Sequence, residues 1–387
     1  MRAARFIARN LKFKGKMAVV SIAISFLIMI VALAVSSGFR HEIRRGISGI
    51  SGDIQLMSPQ MDYVSEENPV GESQSYMAQI MEVPGVQSVS PVIYRAGIVR
   101  SGEDIQGVMF KGTERDDTTR LGVSIPSKLA RMLSLEAGDD LLTYFIGERV
   151  KARKFRITDI YPSILDSGDD LVIYASISDL RRLNGWEEGE CSVLEILLDD
   201  AHKDKISMAT ATDMAGTIAL LSASEDDDSL TAVSAMNKYP QIFSWLDLID
   251  FNVLIILLLM TVVAGFNMIS GLLIMLFRSI STIGTLKAMG MTDRSISSVF
   301  LRVASDAVLK GMLIGNIAAI VLCLLQKWTH LIHLNPENYF VSFVPIHLNF
   351  PLIIVADAIS YGLIMLLLLI PTLFISRVDP AQTVRAQ

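Results

Sequence analysis

The chain has 387 residues, 51% of them hydrophobic and 19% charged, with a mean hydropathy of +0.46 and a net charge of −6. So apolar a composition excludes an ordinary soluble protein, and the charge that remains requires polar and apolar material to be segregated along the chain. The two cysteines, Cys191 and Cys323, fall in a polar stretch and in an apolar run, which predicts buried thiols and no disulfide.

Residues 1–16 carry Arg2, Arg5, Arg9, Lys12, Lys14 and Lys16 and no acid, with Phe6, Ile7, Leu11 and Phe13 among them. This suits an amphipathic helix on the inner leaflet of a membrane. A cleaved signal peptide is the rival; its nearest cleavage site, Ala34-Val35-Ser36, is a poor one, so the segment is expected to stay. Residues 17–37 are a first membrane span. Gly38–Ile47 can continue it outward as a helical stalk, and Ser51–Leu56 reads as a turn and a strand. Residues 38–245 form a large α+β domain between the first and second spans. Its expected strands are Val86–Tyr94, Ala96–Arg100, Ile105–Lys111, Leu141–Phe145, Lys154–Ile160, Leu171–Tyr174 and Ser192–Leu198. Its expected helices are Ser73–Met81, Ser127–Leu133, Ser176–Leu183 and Asp204–Met214, and two lobes are expected, one made from the ends and one from about 110 to 200. The acids concentrate here, most densely at Asp226-Asp227-Asp228.

A second span follows at 246–277; as a helix it is roughly 48 Å long against a hydrocarbon core of about 30 Å, so it must tilt or project. Residues 278–302 are basic and small-residue-rich. The third span, 303–326, carries Ala307, Gly311, Gly315 and Ala319 at every fourth position, a flat face for close helix packing. Asp306 and Lys310 can pair at i,i+4, as charge satisfaction at a helix end rather than as a proton relay. Residues 327–351 are a short external loop. The fourth span, 352–376, has Asp357 near its outer end and Pro371 near its inner end, and a tail, 377–387, carries Arg377 and Arg385. Basic flanks stay in the cytoplasm, so both termini and 278–302 are expected inside and 38–245 outside.

The chemistry of common enzymes is missing. No GxxxxGK[ST] is present, so ATP is not expected to bind this chain through a loop of that type, and neither HExxH nor GxSxG occurs. The five histidines are scattered; His330 and His333 lie one helical turn apart without a further ligand cluster, so no metal is expected. Asp169-Asp170 reads as a solvated pair. Nucleic acid is not an expected partner, because the one basic cluster adjoins a span. A mechanical role remains. Within 283–296, Ile283, Leu286, Lys287 and Met289 are read as one helical face, with Gly284 and Gly290 allowing close approach; a partner contact and a plain inner loop are equally open.

Four features carry a resemblance. They are the order of one span, a large domain and three spans; Val35-Ser36-Ser37-Gly38-Phe39-Arg40-His41-Glu42-Ile43; Phe266-Asn267-Met268-Ile269-Ser270-Gly271-Leu272; and Ile283-Gly284-Thr285-Leu286-Lys287-Ala288-Met289-Gly290-Met291. Over its whole length the chain resembles the FtsX/MacB-like ABC transporter permeases, most closely the lipoprotein-releasing LolC/LolE type. The resemblance implies a non-catalytic permease of a bacterial inner membrane with a MacB-like periplasmic domain. It implies an ATPase-coupling helix at Ile283, Gly284, Leu286, Lys287, Ala288, Met289 and Gly290, seated on a separate LolD-like ATPase that binds ATP and Mg, this chain binding no cofactor itself. A second permease copy or paralogue, a lipoprotein substrate and a periplasmic carrier are further implied partners. Substrate would enter beside Gly38, Phe39, Trp245, Leu248, Phe251 and Asn252, and the carrier would dock at Pro162, Ile164, Leu165 and Asp166, a stretch that reads equally as a surface loop. The family usually has an acid before Ile-Gly; here Thr282 stands there, with Ser281 in place of a basic residue. FtsX-like mechanotransmission and MacB-like efflux are the alternative functions.

Overall fold

A computed structural model describes residues 16–64, 66–72, 74–114, 120–147, 149–161, 171–203, 206–222, 230–335, 339 and 341–372. In chain order the elements are α1 (Lys16–Ser51), β1 (Ile54–Met57), β2 (Val70–Gly71), α2 (Gln74–Met81), β3 (Val86–Ser101), β4 (Asp104–Thr113), β5 (Gly122–Pro126), α3 (Ser127–Leu133), β6 (Asp140–Phe145), β7 (Lys151–Tyr161), β8 (Val172–Ser176) and α4 (Ile177–Asn184). There follow β9 (Glu190–Cys191), β10 (Val193–Leu198), α5 (Asp200–Lys203), α6 (Met208–Ser222), β11 (Thr231–Ser234), α7 (Ala235–Lys238), α8 (Pro240–Arg278), α9 (Ile280–Ala288), α10 (Asp293–Thr329), α11 (Phe350–Leu367) and α12 (Leu369–Thr372). They divide into a helical unit (Met1–Phe39, Leu246–His333, Val344–Gln387) and a sheet unit (Arg40–Trp245, Leu334–Phe343).

In the sheet unit nine strands run in the order β11-β1-β10-β3-β4-β8-β5-β7-β6. The 16-residue β3 serves two neighbourhoods. Its first half pairs with β10 (Ser90↔Glu195), and from Ile93 onward it pairs with β4 (Ile93↔Gly112). β6 also pairs back onto β3 (Val99↔Thr143), so β3, β4, β8, β5, β7 and β6 close into a ring. The two expected lobes therefore share β3, and the limits of 110 and 200 shift: the ring begins near Ile93, and β10 belongs with β1 and β11. The ring is filled by inward side chains of the alternating strands, chiefly Phe110, Phe145 and Phe155, with centroids 5.0 Å and 5.1 Å from Phe110 to the other two. The expected break at Arg95 is absent: β3 passes through it, because the buried guanidinium meets Glu66 at 3.1 Å and donates to the Ile146 carbonyl. The expected helix Asp204–Met214 lies later, as α6 at Met208–Ser222.

In the helical unit four helices are long and apolar enough to cross a membrane: α1, α8, α10 and the stretch Phe350–Thr372. With no Pro in α1 and one in α8 only at its first position, the helices reach 36 and 39 residues, roughly 54 and 58 Å. The last span is not one helix: α11 gives way at Leu368 to α12, where Pro371 removes a donor and crowds the carbonyl four residues back. α1 is the most covered of the four, with Ile22, Phe26, Met29 and Ile30 buried. The small-residue face of α10 lies against it. A Cβ added at Gly311 would stand 2.7 Å from Ile22, and one at Gly315 would meet the Ala23 carbonyl; Ala307 and Ala319 are buried on the same face. Polar links cross the bundle as well: Asn267 donates to Ser21 at 2.5 Å, Thr261 to Ser360 at 3.0 Å, and Asn316 to Asp357 at 2.5 Å. Asp306 and Lys310 are both exposed, and among the described residues no ion pair joins them.

Candidate functional site

The segment after α8 is built by a break and a turn. α8 ends at Arg278, Ser279 takes a non-helical conformation, and α9 runs to Ala288, after which Gly290, with a φ of +85 that suits a residue without Cβ, turns the chain. Ile283 and Gly284 are buried, and Ile283 packs in one cluster with Leu276, Ile296 and Phe300. Leu286 is half-buried, and the half-buried Lys287 reaches Asp293 at 2.9 Å. The expected single face of Ile283, Leu286, Lys287 and Met289 is thus divided. Six residues at about 100° each turn Met289 well away from Ile283, and Met289 is 77% exposed. The outward face is Ser281, Thr282, Thr285, Ala288 and Met289, with Gly290 beyond it. Ser281 and Thr282 are both exposed.

The residues expected to flank a substrate entrance do not form one cluster. Gly38 and Phe39 are turned inward: a Cβ at Gly38 would meet the Pro345 carbonyl, and His347 donates its amide to the Ala34 carbonyl at 3.1 Å. Leu248, Phe251 and Asn252 are on the exposed side of α8, with Leu248 56% and Phe251 60% exposed. Ser36 donates to the Asp250 carboxylate and ties α1 to α8 within the helical unit. Trp245 is half-buried and belongs to the sheet unit. Pro162, Ile164, Leu165 and Asp166 fall outside the described residues; they connect Tyr161, the end of β7, with Leu171, and Tyr161 packs edge-on against Tyr174 at 5.2 Å.

A third constellation was not legible in advance: the place where the C-terminal part of α1 meets the sheet. Gly52, at φ +66, ends the helix and donates to the Ser48 carbonyl at 2.9 Å. The carbonyls of Gly49 and Ile50, which no further helical turn can satisfy, accept from the Lys111 ammonium at 3.1 Å and 2.8 Å. Tyr94 also donates to Ile50, at 2.7 Å. Both side chains meet Glu195 of β10, Lys111 at 2.8 Å. Burial holds the Lys111 ammonium below the usual lysine range while Glu195 opposes that shift; burial, and then Glu195, pushes the Tyr94 phenol well up. A cation from β4 therefore sits at the negative end of the α1 dipole. Asp53 completes the joint. Its carboxylate accepts from Ser48, from the Leu198 amide at 2.8 Å and lies 3.2 Å from Lys203, and its carbonyl accepts from the Ala235 amide at 2.8 Å, just before α8. β1, which follows α1, pairs with β11, which precedes α7 and α8, over Ile54↔Ser234 to Met57↔Thr231. The ladder holds the segment that follows α1 beside the segment that leads into α7 and α8.

The family of the MacB-like periplasmic core domain matches residues 17–206, and that of the FtsX-like permease C-terminal domain matches 254–380. The lipoprotein-releasing system transmembrane protein LolC of Xylella fastidiosa is 22% identical over 423 residues, covering 100% of this chain and 97% of its own length. LolE of Haemophilus influenzae is 21% identical over 402 residues, covering 95% and 93%. Among solved structures, the periplasmic region of MacB from Actinobacillus actinomycetemcomitans is 11% identical with a TM-score of 0.31, covering 51% of this chain and 94% of that one. The extracellular domain of the ABC-type transporter YknZ is 13% identical with a TM-score of 0.30, covering 47% and 99%. The first match takes in β1 to β10 and the second takes in most of the last three spans, so the chain joins a MacB-like periplasmic core domain to an FtsX-like permease C-terminal domain.

Proposed function

We propose that the chain is the inner-membrane permease subunit of an ABC transporter of the lipoprotein-releasing type. In this reading a separate ATPase binds ATP and Mg and seats against the outward face of α9 around Thr282, Thr285 and Met289. Closure of the ATPase moves α9, and with it α8 and α10, to which Ile283 and the Lys287–Asp293 pair bind it. The helices α1 and α8 both end in the edge joined by β1 and β11, so the sheet unit receives the movement and works on a lipidated protein drawn from the membrane. The observation that carries the reading is that LolC and LolE relatives match this chain over nearly all of both lengths.

Purification of the tagged chain in mild detergent should recover an ATPase, and added lipoprotein should raise its turnover. Thr285→Trp, which puts bulk on the outward face of α9, should reduce recovery of the ATPase while leaving the permease monodisperse. Recovery of no ATPase from the native host would discard the proposal. A second reading, transmission of motion to a periplasmic partner without transport, is favoured by the closed packing around Gly38 and the Ser36–Asp250 tie. It predicts ATPase turnover indifferent to lipoprotein.

A further inference from the structure

The ends of α10 and of the last span enclose a cleft of about 460 Å³ that the coupling role does not use. Its polar side is one stripe of α10: Arg294, Ser297, Ser298, Arg302 and Ser305, spaced at three and four residues. Its other side is apolar, with Leu301 from α10 and Met365 and Leu369 from the last span. Ser305 meets the Tyr361 hydroxyl at 2.7 Å and is held toward that side. The single acid of the lining, Asp293, is taken by Lys287 at 2.9 Å. Among the described residues neither Arg294 nor Arg302 has an ion-pair partner.

The levels matter as much as the charges. Arg294 and Arg302 are about 12 Å apart along α10, yet both share the cleft with Met365 and Leu369, which belong to an apolar span. The cleft wall continues into Leu366, Leu369 and Ile370, at 62%, 51% and 55% exposed, a surface suited to acyl chains. Two guanidinium groups and serine hydroxyls suit phosphate oxygens, and an anionic headgroup with its tails on that wall satisfies both halves of the cleft at once. We propose that this cleft binds the phosphate of an anionic phospholipid from the leaflet at the Arg278 end of the bundle. Basic pockets between membrane helices are known to take such headgroups, and a free phosphate ion would leave the apolar wall unused.

The test is a thermal-shift titration of the delipidated full chain in neutral detergent, with bound lipid counted by mass spectrometry. Phosphatidylglycerol should raise the unfolding temperature saturably, and phosphatidylcholine and inorganic phosphate should not. The half-saturating concentration should rise roughly fivefold for Arg294→Gln or Arg302→Gln and roughly thirtyfold for both. Met365→Trp, which fills the cleft and leaves its charge intact, should also lose the shift, whereas Lys310→Gln, outside the cleft, should keep it. An unchanged titration in the double variant overturns the proposal. So does an equal shift from inorganic phosphate, which would mean an anion site with no lipid, or from phosphatidylcholine. Absence of any lipid effect, with loss of a co-purifying protein from the arginine variants, would overturn it in favour of a protein contact.

Discussion

Lys111 and Glu195 place a full charge pair where little water reaches, and their remaining capacity is met by Gly49, Ile50 and Tyr94. Removing one partner leaves the other charged and buried, so Lys111→Met should lower the unfolding free energy by roughly 3 kcal/mol. The double variant Lys111→Met with Glu195→Gln should recover most of that loss, and a denaturant double-mutant cycle measures it. Cys191 gives a pH signature. It is fully buried in β9, and burial lifts its thiol from an ordinary value of 9.0 up to about 12. Below pH 9 folded and unfolded chains both carry the proton, and that stability is intact. As the pH rises past 9 only the unfolded chain releases it, so stability falls by about 1.4 kcal/mol per pH unit toward 12. Unfolding temperatures from pH 8 to 10 should show this slope, and Cys191→Ala should flatten it. The buried thiol of Cys191 was legible from the residues, whereas the pairing of Lys111 was not. Lys111 meets Glu195 and Ile50 only after the sheet has formed, and no local spacing brings 49, 111 and 195 together.

Among the elements, the spans were the most legible, because an apolar run long enough to cross hydrocarbon has few other uses. The small-residue face of α10 could be read in the same way, since only close approach of another helix uses four small residues at that spacing. Which helix it meets could not be read; the structure supplies α1. Gly315→Leu should therefore cost about 1–3 kcal/mol by overpacking against Ala23 and Phe26. Gly362→Leu, where an added Cβ meets nothing within 4 Å, should be tolerated. Proteolytic half-life in detergent separates the two. The sheet was harder. β5 is five residues that begin with a glycine and end with a proline, too short for alternation to declare it, and the charge of Arg95 disguised the middle of β3. The single face expected of α9 is divided because Met289 lies six residues from Ile283, out of phase with it: Ile283 is buried and Met289 exposed.

At the scale of the whole molecule the orientation is a proposal that rests on charge alone, and it is open to a direct check. A cysteine at the exposed Asp104 should react with a membrane-impermeant maleimide added to spheroplasts, while one at Thr285 should react only after permeabilisation. The reverse pattern would remove the basis for both proposals. The β1–β11 ladder bears on what any motion can look like. Four residue pairs, Ile54↔Ser234 through Met57↔Thr231, lock the continuation of α1 to the lead-in of α8. A piston stroke of one helix past the other would have to tear that ladder, whereas a joint tilt or twist leaves it whole. The two helices are thus yoked like the shafts of a cart. Spin labels at Gln55 and Ala232 should hold a constant separation through the nucleotide cycle, whatever the amplitude of movement elsewhere.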